Sequence, residues 1–227
     1  MPLSRIRRQN SARFVSVNTN LMHLQSCEST DSLTEELINI QKGLFYVHLY
    51  SAFEKSINEI VVRTLTVIGT KKIKHQHYTT AFNSIALDAQ MASFKSAGKD
   101  RRLSCAVGVF ETMECSNESK INDSIFAPSL QNVWFDTVQI LFRCFGIAGI
   151  DDADGSFKLA IDEVVNNRNA VAHGRIPAQH IGERQRCDVL SDRLRKIESC
   201  TGQIVEKFES YLDNKEYLKP VHRADYT

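Results

Sequence analysis

Two side chains raise the question of chemistry: Arg168 and His173, in the run Val165-Asn166-Asn167-Arg168-Asn169-Ala170-Val171-Ala172-His173-Gly174. An arginine stays protonated and its planar fork grips phosphate oxygens through two donors, while a histidine titrates near neutral pH and moves protons. Together they suit RNA cleavage, which needs a base near the 2′-hydroxyl, an acid near the leaving 5′-oxygen and a cation beside the charge building on the phosphate. The spacing Arg-x4-6-His carries little weight alone. With 15 arginines and 7 histidines in 227 residues, about one or two matches arise by chance. The chain holds two. Arg175 to His180 encloses Pro177, whose ring interrupts any helix, and reads as a decoy. Arg168 to His173 instead continues a helical apolar pattern (Phe157, Leu159, Ala160, Ile161, Val164, Val165, then Ala170 to Ala172) and stops at Gly174, a natural residue after a helix end.

On these residues the chain resembles the HEPN superfamily of all-helical RNases and RNA-binding domains. Its signature is this Arg-x4-6-His, usually with a polar residue directly after the arginine, here Asn169. The wording Arg-Asn-Ala-Val-Ala-His-Gly looks like the branch related to RiboL-PSP domains and to a sister type of bacterial defence and toxin systems. Leu49-Tyr50-Ser51-Ala52-Phe53-Glu54-Lys55-Ser56-Ile57-Asn58 is similar to that branch's early helix.

The resemblance implies an all-α bundle acting as an endoribonuclease that uses neither metal nor cofactor. RNA would be the substrate, an antitoxin or other defence-system protein a partner, and Arg168, His173, Asn169 and Glu54 the catalytic set. Some relatives place an acidic side chain from a neighbouring helix beside the motif arginine, which is the role expected of Glu54; a structural ion pair or a solvent-facing position is the plainer alternative. A non-catalytic module binding RNA or a protein is the rival reading, and a purely structural dimerising domain a third. The plain reading of Arg168 and His173 themselves is a surface cation and a histidine at a helix C-terminus.

Geometry adds a demand. On a regular helix a five-residue step turns the chain by roughly 500°, leaving the two side chains about 140° apart. Either the helix ends near His173, as Gly174 permits, or a second subunit completes the site. The resembled family forms symmetric dimers that bring two motifs into one cleft, so a homodimer through the face carrying Arg168 and His173 is expected.

The elements that must position the pair are largely readable. Residues 1–30 are polar and rich in Ser, Asn and Arg, and are expected to be an arm or irregular lead-in. Residues 31–215 form the helical domain and 216–227 a tail. Ser32 with Glu35 suggests a capping box opening a long helix to Ile68, with Gly43 as a candidate break. Leu37, Ile40, Leu44 and Val47 read as its buried stripe, which continued by threes and fours meets Ser51, Glu54 and Asn58. Helices are expected at Ala81–Ser96 and from Glu183 to Leu212, where Cys187, Leu190, Leu194, Ile197, Ile204 and Phe208 share a stripe, and a strong apolar segment opens at Pro128 or Ser129 and runs through Val133 to Gly146. The region 97–128 is expected to be irregular or inserted; within it Arg101 to Met113 could be helix or a short strand, since Cys105, Val107 and Val109 alternate, and irregular or partly helical structure is expected there.

Composition narrows the rest. Charged residues are 24% and the net charge is +1, which excludes a strongly polycationic binder. Any RNA contact must come from local clusters: Lys71, Lys72 and Lys74 with His75 and His77, or Arg5, Arg7, Arg8 and Arg13. No metal site is expected: His75-Gln76-His77 is too short, and the turn Asp151 to Gly155 lacks calcium ligands at its first and twelfth positions, Ile150 and Ile161. Six scattered cysteines, no apolar run of membrane length and no secretory leader point to a cytoplasmic protein with structural thiols.

Overall fold

The computed structural model describes residues 2–27 and 32–226. Nine α-helices follow in chain order: α1 (Ser4–Ser26), α2 (Ser32–Gly69), α3 (Thr80–Ala86), α4 (Asp88–Ser96), α5 (Lys99–Met113), α6 (Phe135–Phe145), α7 (Ser156–Ala172), α8 (Ala178–Gly182) and α9 (Cys187–Asp213). The described residues contain isolated bridges, Lys74 with Glu118 and Tyr78 with Leu218, but no strand. The fold is all-α, as expected.

The spine is α2, because apolar groups surround it: Phe45, Tyr46, Leu49, Phe53, Ile60, Val61 and Leu65 are buried on several faces. Helices α1, α7, α8 and α9 pack against it. Gly43 does not break it. A Cβ there would stand 2.0 Å from the carbonyl oxygen of Ala178, and one at Gly182 would stand 1.8 Å from that of Asn39. Two glycines thus let the backbones of α2 and α8 touch, which seats α8 and with it the chain leaving α7. The proposed capping box at Ser32 lies outside the described residues.

Helix α7 is tied at three points along its length. Its first turn is capped by Asp152, whose carboxylate accepts the N–H groups of Phe157 at 2.8 Å and Lys158 at 2.9 Å, so the acidic turn serves the helix dipole. Glu163 in its middle accepts from Arg193 of α9 at 2.7 Å and from the Tyr46 hydroxyl of α2 at 3.1 Å. Desolvation, reinforced by the Glu163 charge, pushes the Tyr46 hydroxyl pKa well above its usual value, so it remains a donor. Arg168 near its end reaches Glu54 of α2.

Several expectations are corrected. The first thirty residues are not an irregular arm: α1 buries Ile6, Asn10, Phe14, Val17, Leu21 and Leu24 at helical spacing. Its polar composition concealed this because Asn10 is buried with its Oδ1 accepting from Arg13, which in turn bridges to Glu59 of α2 at 2.7 Å, while its Nδ2 finds no partner. Residues 99–113 are a continuous helix, not irregular structure. Only residues 114–128, beyond it, lack a regular element. The helix expected over Ala81–Ser96 is two, divided at Leu87. The stripe through Leu37 and Leu44 is exposed rather than buried, at 54% and 46%. The C-terminal segment is no loose tail either, since Tyr217 and Leu218 are fully buried and Thr79 donates its N–H to the Tyr217 carbonyl at 2.9 Å. The helix through Cys187, Leu190, Leu194, Ile197, Ile204 and Phe208 is found with all six buried.

Candidate active site

Val47, Ser51, Glu54 and Asn58, further along the same stripe of α2, form one wall of a groove of about 1270 Å³. Its other walls come from the start of the chain at Pro2 and Arg5, from Leu130 and Gln131, and from the end of α7, where Arg168, Ala172 and His173 line it. The structure thus brings both motif side chains to one groove of one chain.

Both side chains reach the groove at the end of the helix. Ala172 is its last residue, His173 is the cap, still donating its N–H to the Asn169 carbonyl at 3.1 Å, and Gly174 turns left-handed at φ 65°. The Arg175 N–H then bonds to the Ala170 carbonyl at 2.9 Å and the Gly174 N–H to that of Val171 at 3.0 Å, a Schellman closure. The chain leaves the helical spiral only after His173, which stays exposed. Arg175 and His180, the decoy pair, fall on a loop and on α8.

Arg168 is held in a fixed pose. Its Nη2 donates to Glu54 Oε2 at 3.1 Å and its Nη1 to Asn169 Oδ1 at 2.7 Å. Its guanidinium lies over the Tyr50 ring, 4.1 Å from the centroid. Tyr50 is itself fixed, since its hydroxyl accepts the Val133 N–H at 2.8 Å, and burial pushes its pKa up to about 12. The Arg168 and Glu54 side chains are 20% and 27% exposed, so the pair is shielded on one side and open to the groove on the other. A guanidinium has five donors. Two are engaged within the chain, and the fork remains able to meet a phosphate.

Glu54 sits on the groove wall facing Arg168. Asn169 stands apart: it is buried, does not line the groove, and passes its amide to Asn132 Oδ1 at 3.4 Å. It steadies the guanidinium from behind.

The lysines singled out from sequence are placed elsewhere. Lys71, Lys72 and Lys74 follow the end of α2, and about 22 Å of helix separates Glu54 from Gly69 at that end. Lys72 lines a second depression with Lys120, joined to the groove only through Thr66. The cations on the groove itself are Arg5, Lys55, Arg63 and Arg168. Of the N-terminal arginines, Arg7 is bound to Glu209 at 2.6 Å and Arg13 to Glu59. Arg63 and Tyr50 escaped the sequence reading. The first lies off the stripe, since one turn beyond Asn58 falls on Val61 or Val62; the second reads simply as a core aromatic.

One group of metal-ligating side chains occurs among the described residues, at His77, His222 and Asp225, remote from the groove. The two imidazoles stack in parallel, with centroids 3.6 Å apart and planes 6° from each other, so one ion cannot lie in both ring planes. His222 bonds to Asp225 at 2.9 Å and His77 to the Tyr226 hydroxyl at 2.8 Å. This arrangement latches the C-terminal segment. No helix among the described residues is long and apolar enough to cross a membrane.

No curated protein and no solved structure matches the chain at significant similarity. A family does: the RiboL-PSP-HEPN model matches residues 17–214, spanning α2, α7 and all of α9. The chain belongs to the RiboL-PSP-HEPN family.

Proposed function

We propose that the protein is a metal-independent endoribonuclease that cuts RNA by attack of the substrate's own 2′-oxygen, serving as a toxin or phage-defence effector. The observation that carries this reading is the convergence of Arg168 and His173 on one open groove, with the arginine braced and the histidine exposed. In the reaction the 2′-oxygen forms a bond to phosphorus as the bond to the 5′-oxygen breaks. Arg168 holds the non-bridging oxygens while negative charge builds on them. His173 moves a proton, as base toward the 2′-hydroxyl or as acid toward the leaving 5′-oxygen. Glu54 and Asn169 act through Arg168, fixing its plane.

One groove supplies one histidine, whereas the reaction uses a base and an acid. The exposed turn from His173 to Ile176 beside the groove leaves room for a second protomer to bring the other. We therefore place the homodimer on this face. An antitoxin or another defence-system protein would cover the same opening.

Among the described residues, Ser51 lines the groove without a hydrogen bond to Glu54 or His173 that would activate it, and no metal-ligating cluster lies there, which favours the 2′-oxygen as nucleophile. Cleavage should persist in EDTA and leave a 2′,3′-cyclic phosphate and a 5′-hydroxyl. A single 2′-deoxy nucleotide at the cut should abolish that cut with binding nearly unchanged. Efficient cutting of the 2′-deoxy strand would overturn the mechanism, and binding without cutting would favour a non-catalytic RNA-binding module.

A further inference from the structure

The hairpin of α4 and α5 stands apart from the groove, and no residue of either helix lines it. Helix α5 packs on α4 and on the turn at His75–His77, and buries no residue of its own. Its outer face is nevertheless apolar: Leu103 is 80% exposed, Val107 54% and Phe110 64%. At 100° per residue these three, with Lys99 and Glu114, fall within about 80° of the helix circumference. They form one narrow stripe, Lys99–Leu103–Val107–Phe110–Glu114, and a soluble helix does not keep such a stripe uncovered without a partner.

The stripe identifies that partner. It is symmetric about the point midway between Ala106 and Val107. Turned end for end there, Leu103 falls opposite Phe110, Val107 opposite Ala106, and Lys99 opposite Glu114. An antiparallel copy of the same helix therefore matches apolar to apolar and cation to anion across a two-fold axis. The end charges point the same way. Lys99 is the first residue of α5 and Glu114 its C-terminal cap. Each sits where its own helix dipole disfavours it, a cation at the positive end and an anion at the negative end. An antiparallel neighbour reverses both relations. We propose that α5 is a self-association surface on which two copies of this chain pair antiparallel about a two-fold between Ala106 and Val107. It is independent of the homodimer face beside His173, so pairing through α5 joins protomers without closing the groove.

Cysteine crosslinking tests the register. Facing helices at 8–10 Å bring the two Val107 Cα atoms to within disulfide range. Full-length Val107→Cys, treated with copper phenanthroline at micromolar concentration, should form a covalent dimer. Ser104→Cys lies about 100° round the same helix and serves as the control: it should gain no dimer over the parent, whose Cys105 faces away from the stripe. Leu103→Glu in the Val107→Cys background should remove the crosslink, with circular dichroism showing the fold retained, since the side chain is exposed. Lys99→Glu or Glu114→Lys alone should lower the yield and the two together should restore it. A Val107→Cys yield no greater than that of Ser104→Cys, or one unmoved by Leu103→Glu, would overturn the proposal. None of these readouts involves RNA cleavage, so they stand or fall apart from the enzymatic reading.

Discussion

The face where α2 meets α7 and α8 and the hairpin of α4 and α5 are built from the same kind of residue to opposite effect. On the first, backbones touch through Gly43 and Gly182, and the polar groups around the motif arginine are braced by one another: Arg168 by Glu54 and Asn169, Asn169 by Asn132, Tyr50 by Val133. On the second no side chain is buried, and a Cβ added to Gly108 would meet nothing within 4 Å. A groove that must hold a charged group at a fixed angle needs neighbours with no freedom. A surface free to recruit another molecule needs the reverse.

The largest expected effect falls on the braced side and on chemistry rather than stability. His173→Ala should lower RNA cleavage by about 10²- to 10⁴-fold while the melting temperature stays put, because the side chain is exposed and its proposed work is proton transfer. A mutant cutting at the parent's rate would remove His173 from the site. Next comes Gly43→Ala. Its methyl would meet a backbone carbonyl that cannot move aside, so chemical denaturation should show a loss of about 3 kcal/mol or more, at the upper end for overpacking. Gly108→Ala should do the opposite, gaining roughly 0.5–1 kcal/mol, since the helical position is open and alanine loses less backbone freedom. If both glycine variants move stability in one direction, the contrast between the regions fails.

The smallest effect belongs to the seam between them, the turn His75–His77. Burial holds the pKa values of His75 and His77 below the usual 6.5, with the His222 and Lys74 charges adding to the effect at His77. The folded state then binds fewer protons than the unfolded chain. Stability from this turn is fully present above about pH 6.5, is lost as pH falls through that value, and is lost no further below the lowered folded pKa. Amide protection across residues 217–226, corrected for the pH dependence of intrinsic exchange, should therefore fall between pH 7.5 and 5.5 more than protection in α9. Equal change in both would argue against the histidine latch.

How much was legible in sequence follows the same division. The end of α7, the spine helix and α9 announce themselves because a continuous apolar period reports directly on a core. Glu54 was noticed since it interrupts such a period, though that part of the stripe proved to be a groove wall, and exposed Leu37 and Leu44, which keep the helical spacing of a buried face, lie outside the groove. Helix α1 was missed because a polar residue, Asn10, is buried in its stripe with its Oδ1 accepting from Arg13, a pairing invisible without the fold. Helix α5 was missed because Cys105, Val107 and Val109 mimic a strand's alternation, while the stripe that counts runs through Leu103, Val107 and Phe110. Distance along the chain also misled: Lys71, Lys72 and Lys74 are cations near the same helix as Glu54, but that helix runs straight and carries them away from the groove.

The short span from His173 to Pro177 is moored at both ends, by the hydrogen bonds closing α7 onto Ala170 and by α8 pressed against the α2 backbone. A loop so anchored has little conformational entropy left to surrender. Substrate arriving at His173 would then find the imidazole's backbone already ordered, and would not spend binding energy on freezing it.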